Sequence, residues 1–155
     1  MKKIILTILA GVMMSMMSLK VGAHCQLPCG IYDDSLQVAF LYEHIRTIEK
    51  SMNMIVELSD DGVKNYNQIV RWVNNKDMHA SEIQEIVAYY FMTQRISPND
   101  PSNTTSYARY TYELQLLHRM QVLAMKCKQT TDLEFVKSLR GVLHKFEHSY
   151  FGGGE

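Results

Sequence analysis

The residues best equipped for chemistry lie in one run, His24-Cys25-Gln26-Leu27-Pro28-Cys29-Gly30-Ile31-Tyr32. It holds an imidazole and two thiols within six residues, and small residues stand directly before it at Val21-Gly22-Ala23, where a leader peptidase requires them. A cut after Ala23 makes His24 the first residue and frees its α-amine. That amine and the backbone amide of Cys25 close a chelate, which the Cys25 sulfur extends. The Cys29 sulfur completes a planar set of two nitrogens and two sulfurs. Planar coordination with nitrogen donors favours Ni(II) or Cu(II), whereas tetrahedral zinc needs a fourth side chain that is not close by. Anionic thiolate and amidate donors raise the metal d electrons and bring a Ni(III)/Ni(II) couple within reach of mild oxidants, with the His24 imidazole free to add an axial bond. The plainer reading of the same cysteines is a small Cys25–Cys29 disulfide loop that leaves Cys127 unpaired.

The neighbours have matching uses. Pro28 turns the loop and removes a competing N–H. Gly30 permits a positive φ as the chain leaves the site. Tyr32, three residues past Cys29, could set a phenol over an open face and donate a hydrogen bond to a small oxygen species.

Ahead of this hook, Met1-Lys2-Lys3 supplies a positive start and Ile4 to Leu19 carries no charge. The run is short of the roughly 20 apolar residues that cross a bilayer, and Lys20 closes it, so residues 1–23 read as a signal peptide. Removing them takes Lys2, Lys3 and Lys20 from the 16 basic residues, leaving 13 against 16 acidic ones. A net acidic chain argues against a nucleic-acid binder, for which a basic face is expected. The expected location is periplasmic or secreted, with no membrane contact once the leader is gone.

The rest of the chain must position the hook. Tyr32-Asp33-Asp34-Ser35 is a helix start with acids near the dipole. Leu41, Ile45, Ile48, Met52 and Ile55 recur at helical spacing, which predicts a helix over roughly Ser35 to Leu58. Ser59-Asp60-Asp61-Gly62 is a turn. A second helical pattern runs from about Val63 to Ile96, with Tyr66, Ile69, Val70, Val73, Ile83, Ile86, Val87, Tyr90 and Phe91 in the pattern; the polar patch Asn74-Asn75-Lys76-Asp77 could kink it, and no proline interrupts it. Turn formers over Ser97 to Asn103 break the chain. A third helix is expected over Thr104 to Lys128, with Tyr110, Leu114, Leu117, Gln121 and Ala124 inward. Thr131-Asp132-Leu133-Glu134 matches a capping box before a fourth, which turns Leu133, Val136, Leu139, Val142, Leu143 and Phe146 inward. Residues 151–155 read as a flexible tail. The organisation expected is all-α: a hook over 24–34 and an antiparallel four-helix bundle over 35–150. His44, His118, His144 and His148 read as surface or core-edge histidines, and Cys127 as a buried small hydrophobe. Tyr89, Tyr90, Tyr107, Tyr110 and Tyr112 read as packing or subunit contacts, Tyr90 being the one that could approach the hook.

At His24, Cys25, Pro28, Cys29, Gly30 and Tyr32 the chain resembles the nickel superoxide dismutase family, whose motif is H-C-x-x-P-C-G-x-Y. The likeness is close in the hook and architectural over the remainder. It implies disproportionation of superoxide to oxygen and hydrogen peroxide by Ni(II)/Ni(III) cycling, with one nickel per subunit in a homohexamer. His24, Cys25 and Cys29 would be ligands and Tyr32 the substrate gate. The chain departs from the family pattern at Gln26, where an acid is frequent, and at Phe40, which falls where an acid partners the axial imidazole. Glu43 is the nearest substitute. His79 aligns with the family's bracing arginine if Arg71 and Lys76-Asp77 are matched to its Arg and Lys-Glu. The rival reading is a secreted helical protein that carries nickel or copper without turnover.

Overall fold

The computed structural model describes residues 33–152. His24, Cys25, Cys29 and Tyr32, with the whole leader, lie outside these residues. Four helical stretches follow one another: α1 (Asp34–Ser59), α2 (Gly62–Glu85) running directly into a π-helical segment (Ile86–Arg95), α3 (Thr104–Gln129) and α4 (Leu133–Tyr150). Each packs on the next, and α4 closes back on α1. The short links between sequence neighbours make them antiparallel, so the expected four-helix bundle is present, and there is no strand among the described residues.

Local chemistry accounts for the helix starts. The Asp33 carboxylate caps α1 by accepting from the Ser35 N–H at 2.9 Å, and the Ser35 hydroxyl, donating to the same oxygen, together with that N–H holds the carboxyl below its usual range. Asn103 caps α3, and Asp132, not Thr131, caps α4 by accepting from the Glu134 N–H at 3.0 Å. The core is a continuous stack: Leu41, Ile45, Ile48 and Met52 from α1 meet Ile83 from α2, Leu117 and Met120 from α3, and Leu139 and Leu143 from α4, all essentially without exposure. Each such side chain contributes about 1.5–3 kcal/mol on burial. Cys127 is fully buried among them, and burial pushes its thiol up to about 11.

Several expectations are corrected. In the first half of α2, Tyr66 and Val70 are exposed, and the C-terminal end of α3 meets α2 further along, at Lys76. The α-helical winding runs unbroken through the polar patch at 74–77. Lys76 is buried there, and its ammonium donates to the carbonyls of Cys127 and Lys128 at 2.7 and 2.6 Å and to Asp77. A cation thereby satisfies the last carbonyls of α3. The winding changes only at Ile86. The buried stripe of α3 is Glu113, Leu116, Leu117, Met120, Ala124 and Cys127, slightly rotated from the expected one. Gln121 is half-buried and exchanges amide-to-carbonyl hydrogen bonds with Gln84 of α2. Leu133, at the mouth of α4, is largely exposed.

Candidate functional site

The described residues begin at the root of the hook, one position after Tyr32. Asp34, the first residue of α1, is held by three donors from two other elements. Arg95 Nε donates to its Oδ1 at 2.7 Å, Tyr150 Oη donates to its Oδ2 at 2.8 Å, and Tyr90 Oη also donates to Oδ1. Arg95 Nη2 in turn donates to Tyr90 Oη at 2.9 Å. Burial pushes the Asp34 carboxyl up, but the hydrogen bonds from Tyr90, Tyr150 and Arg95 outweigh it and hold the group below its ordinary value. Burial and the same carboxylate raise both phenols.

The π winding explains how Tyr90 and Arg95 can share one target. Its hydrogen bonds close from i to i+5, as in Ile96 N–H to the Phe91 carbonyl at 2.9 Å, so residues five apart fall on one side of the helix. An α-helix would separate them. Beneath the polar cluster lies an aromatic one. Phe91 meets Phe146 edge-on at 5.0 Å and Tyr150 at 5.6 Å, while Phe146 and Tyr150 stack at 5.3 Å. A cleft of about 320 Å³ opens beside it, lined by Arg95, Arg109, Tyr110, Glu113 and Tyr150.

A second polar pair lies further along α1. His44 and His79 face each other across the α1–α2 seam with their Nδ1 atoms 2.7 Å apart. One nitrogen must donate and the other accept, so at least one ring is neutral. Burial, and then the charge of His79, lower the pKa of His44, against the opposing pull of Glu82 and Glu43.

Of the sequence-predicted residues, His79 therefore meets a histidine. Glu43 stays in solvent beside Arg46 on its own helix. Tyr90 bonds Asp34, the first residue of α1, and the hook that it is expected to approach lies outside the described residues. His118, His144 and His148 are exposed. Sequence reasoning passed over Asp34 as a ligand-like carboxylate, together with Arg95 and Tyr150. The only local hint was a second acid directly after a complete N-cap. No group of three or more histidine, cysteine or acidic side chains able to hold a metal stands among the described residues.

The sequence model for nickel-containing superoxide dismutase matches residues 19–153, spanning the hook and all four helices. The chain belongs to that family. Neither a curated protein nor a solved structure matches it. Membership makes it an oxidoreductase of the superoxide dismutase type with nickel as its metal, at the level of the family. The residue types fit that metal: two thiols and an imidazole stand in one short run, and the first turn of the bundle, with its Asp34 contacts, follows directly after it. No helix among the described residues is long and apolar enough to cross a membrane.

Proposed function

We propose that this chain is exported, loses residues 1–23, and disproportionates superoxide at a nickel held by His24, Cys25 and Cys29. The observation that carries the reading is the nine-residue hook lying inside the family match and directly behind a small-residue cut site. His24 would contribute its amine and imidazole, Cys25 its amide and thiolate, and Cys29 its thiolate. Nickel in such a set supplies one-electron exchange through the Ni(II)/Ni(III) couple. Two superoxide anions and two protons then give one oxygen and one hydrogen peroxide.

The remaining tasks fall to this chain's own side chains. Tyr32 would donate a hydrogen bond to the small anion and limit what else enters. His79, braced by His44 at 2.7 Å, would stand in for the arginine that orients the His24 imidazole in relatives, with Glu43 adding negative charge near the pair. Assembly as a homohexamer would brace a loop too short to order itself. The exposed apolar side chains Val63, Tyr66 and Val70 on the unpartnered half of α2 favour such assembly.

The deciding experiment pairs N-terminal sequencing of the exported protein with the decay of a superoxide pulse. The expected result is a chain starting at His24 that accelerates decay only when loaded with nickel, with one nickel per chain. A different N-terminus, or full nickel loading without accelerated decay, overturns the proposal.

A further inference from the structure

We infer that Asp34, Tyr90, Arg95 and Tyr150 form a positioning cluster that fixes the direction in which the metal-binding segment leaves the bundle; the inference rests on the reading of residues 24–32 given above. The argument starts from where the carboxylate is. Asp34 is not needed to start α1, because Asp33 already caps it through the Ser35 N–H. An acid at the next position usually stays in water and interacts only weakly with the helix dipole. Here it turns inward and accepts from all three donors, two on the π-helical segment and one near the end of α4.

Those donors come from elements far apart in the chain, so the carboxylate ties the first turn of α1 to the same end of two other helices. Each donor is itself held. The Arg95 guanidinium lies over the Tyr90 ring at 4.7 Å as well as bonding its hydroxyl. The Tyr150 ring is fixed between Phe91, Phe146 and Phe151. A π-helical segment sacrifices regular winding, and such segments recur at functional sites. This one places Tyr90 and Arg95 on a single carboxylate. The residue so anchored is two positions from Tyr32, so a freed first turn would let the direction of the preceding segment drift. These side chains act through the backbone of α1; they are positioning residues for the metal-binding segment.

The test uses the mature chain beginning at His24. Three variants are compared with the parent: Asp34→Asn, Tyr150→Phe, and Ile55→Ala, which removes apolar packing at the other end of the bundle. Nickel affinity is measured by competition with a chelator, the Ni(III) electron paramagnetic resonance spectrum is recorded, and amide hydrogen exchange is followed over residues 25–36 in the nickel-free protein. We expect Asp34→Asn and Tyr150→Phe to weaken nickel binding about tenfold, within the range for groups that orient ligands. They should also broaden the Ni(III) signal and speed exchange of residues 25–36. Ile55→Ala should lower the melting temperature and leave affinity, spectrum and segment exchange at parent values. If Asp34→Asn and Tyr150→Phe behave as Ile55→Ala does, the cluster is only a stabilising contact and the inference fails. A parent chain that takes up no nickel overturns the proposed function instead; the exchange comparison then still decides whether the cluster positions the segment.

Discussion

Asp34 and His44 are both half-buried polar residues on α1, yet their surroundings act on them in opposite ways. Three donors converge on Asp34 and favour its charged form. His44 faces a second imidazole, and burial with that neighbour favours its neutral form. The sign for His44 follows directly. A folded-state pKa below the unfolded one means that folding resists protonation, so stability is full above about pH 6.5 and is lost as pH falls through the folded value. Glu82 and Glu43 oppose the shift and His79 supports it. Melting of the nickel-free protein followed from pH 8 to pH 5 should therefore show a decline below neutrality that His44→Phe flattens. Equal slopes in the two proteins would mean that the pair carries no such linkage. Lys76 makes the complementary point about burial. An ammonium can sit inside the bundle because the Cys127 and Lys128 carbonyls and the Asp77 carboxylate accept its three N–H hydrogen bonds.

At the scale of elements, α2 and its π continuation do two different jobs. The α-helical part gives the core Ala80 and Ile83. The π part turns Tyr90 and Phe91 inward and delivers Arg95 to Asp34. Its looser winding is supported by side chains that fill the wider turns: Thr93 Oγ1 donates to the Ala88 carbonyl at 2.7 Å and Gln94 Nε2 to that of Tyr89 at 2.8 Å. The fourth helix offers a simpler test of element stability. Gly141 lies in its exposed interior, and a Cβ placed there meets nothing within 4 Å. Gly141→Ala should stabilise the protein by roughly 0.5–1 kcal/mol, through higher helix propensity and a less free unfolded chain. Urea denaturation checks it, and a loss of stability would show that the residue is under a constraint from outside the helix.

For the whole molecule, one end of the bundle carries the polar cluster and the cleft, while the α1–α2 hairpin projects apolar side chains from the other. Val63 and Tyr66 are 89% and 68% exposed, more than an isolated chain gains anything from leaving in water. In the proposed hexamer this face would be covered. Val63→Asp combined with Tyr66→Asp should leave the helical signal intact and reduce the assembly to smaller species in sedimentation velocity. An unchanged sedimentation coefficient would place the subunit contacts elsewhere.

Much of this was legible before folding. The proposed hook chemistry depends on residue identity and on nearness in the chain, so His24, Cys25, Cys29 and Tyr32 can be proposed as one unit from the sequence, and the family match spans them. Helices α1 and α4 were largely readable, because their apolar spacing is local, although the cap of α4 is Asp132 and Leu133 faces solvent. What could not be read depended on packing partners. The apolar pattern of α2 implied burial for Tyr66 and Val70, but no helix arrives to cover them. The change to π winding, the Lys76 contact with α3, and the facing of His44 with His79 each require a second element at a particular height. The Asp34 cluster belongs to the same kind: its members lie up to 116 positions apart, and only the closing of α4 onto α1 brings them to one carboxylate. Sequence alone determined which residue types stand close enough in the chain to be proposed as a metal site and that the rest would be helical; the tertiary structure decided which side chains meet at the first turn of α1, because only packing sets distances between residues remote in the chain.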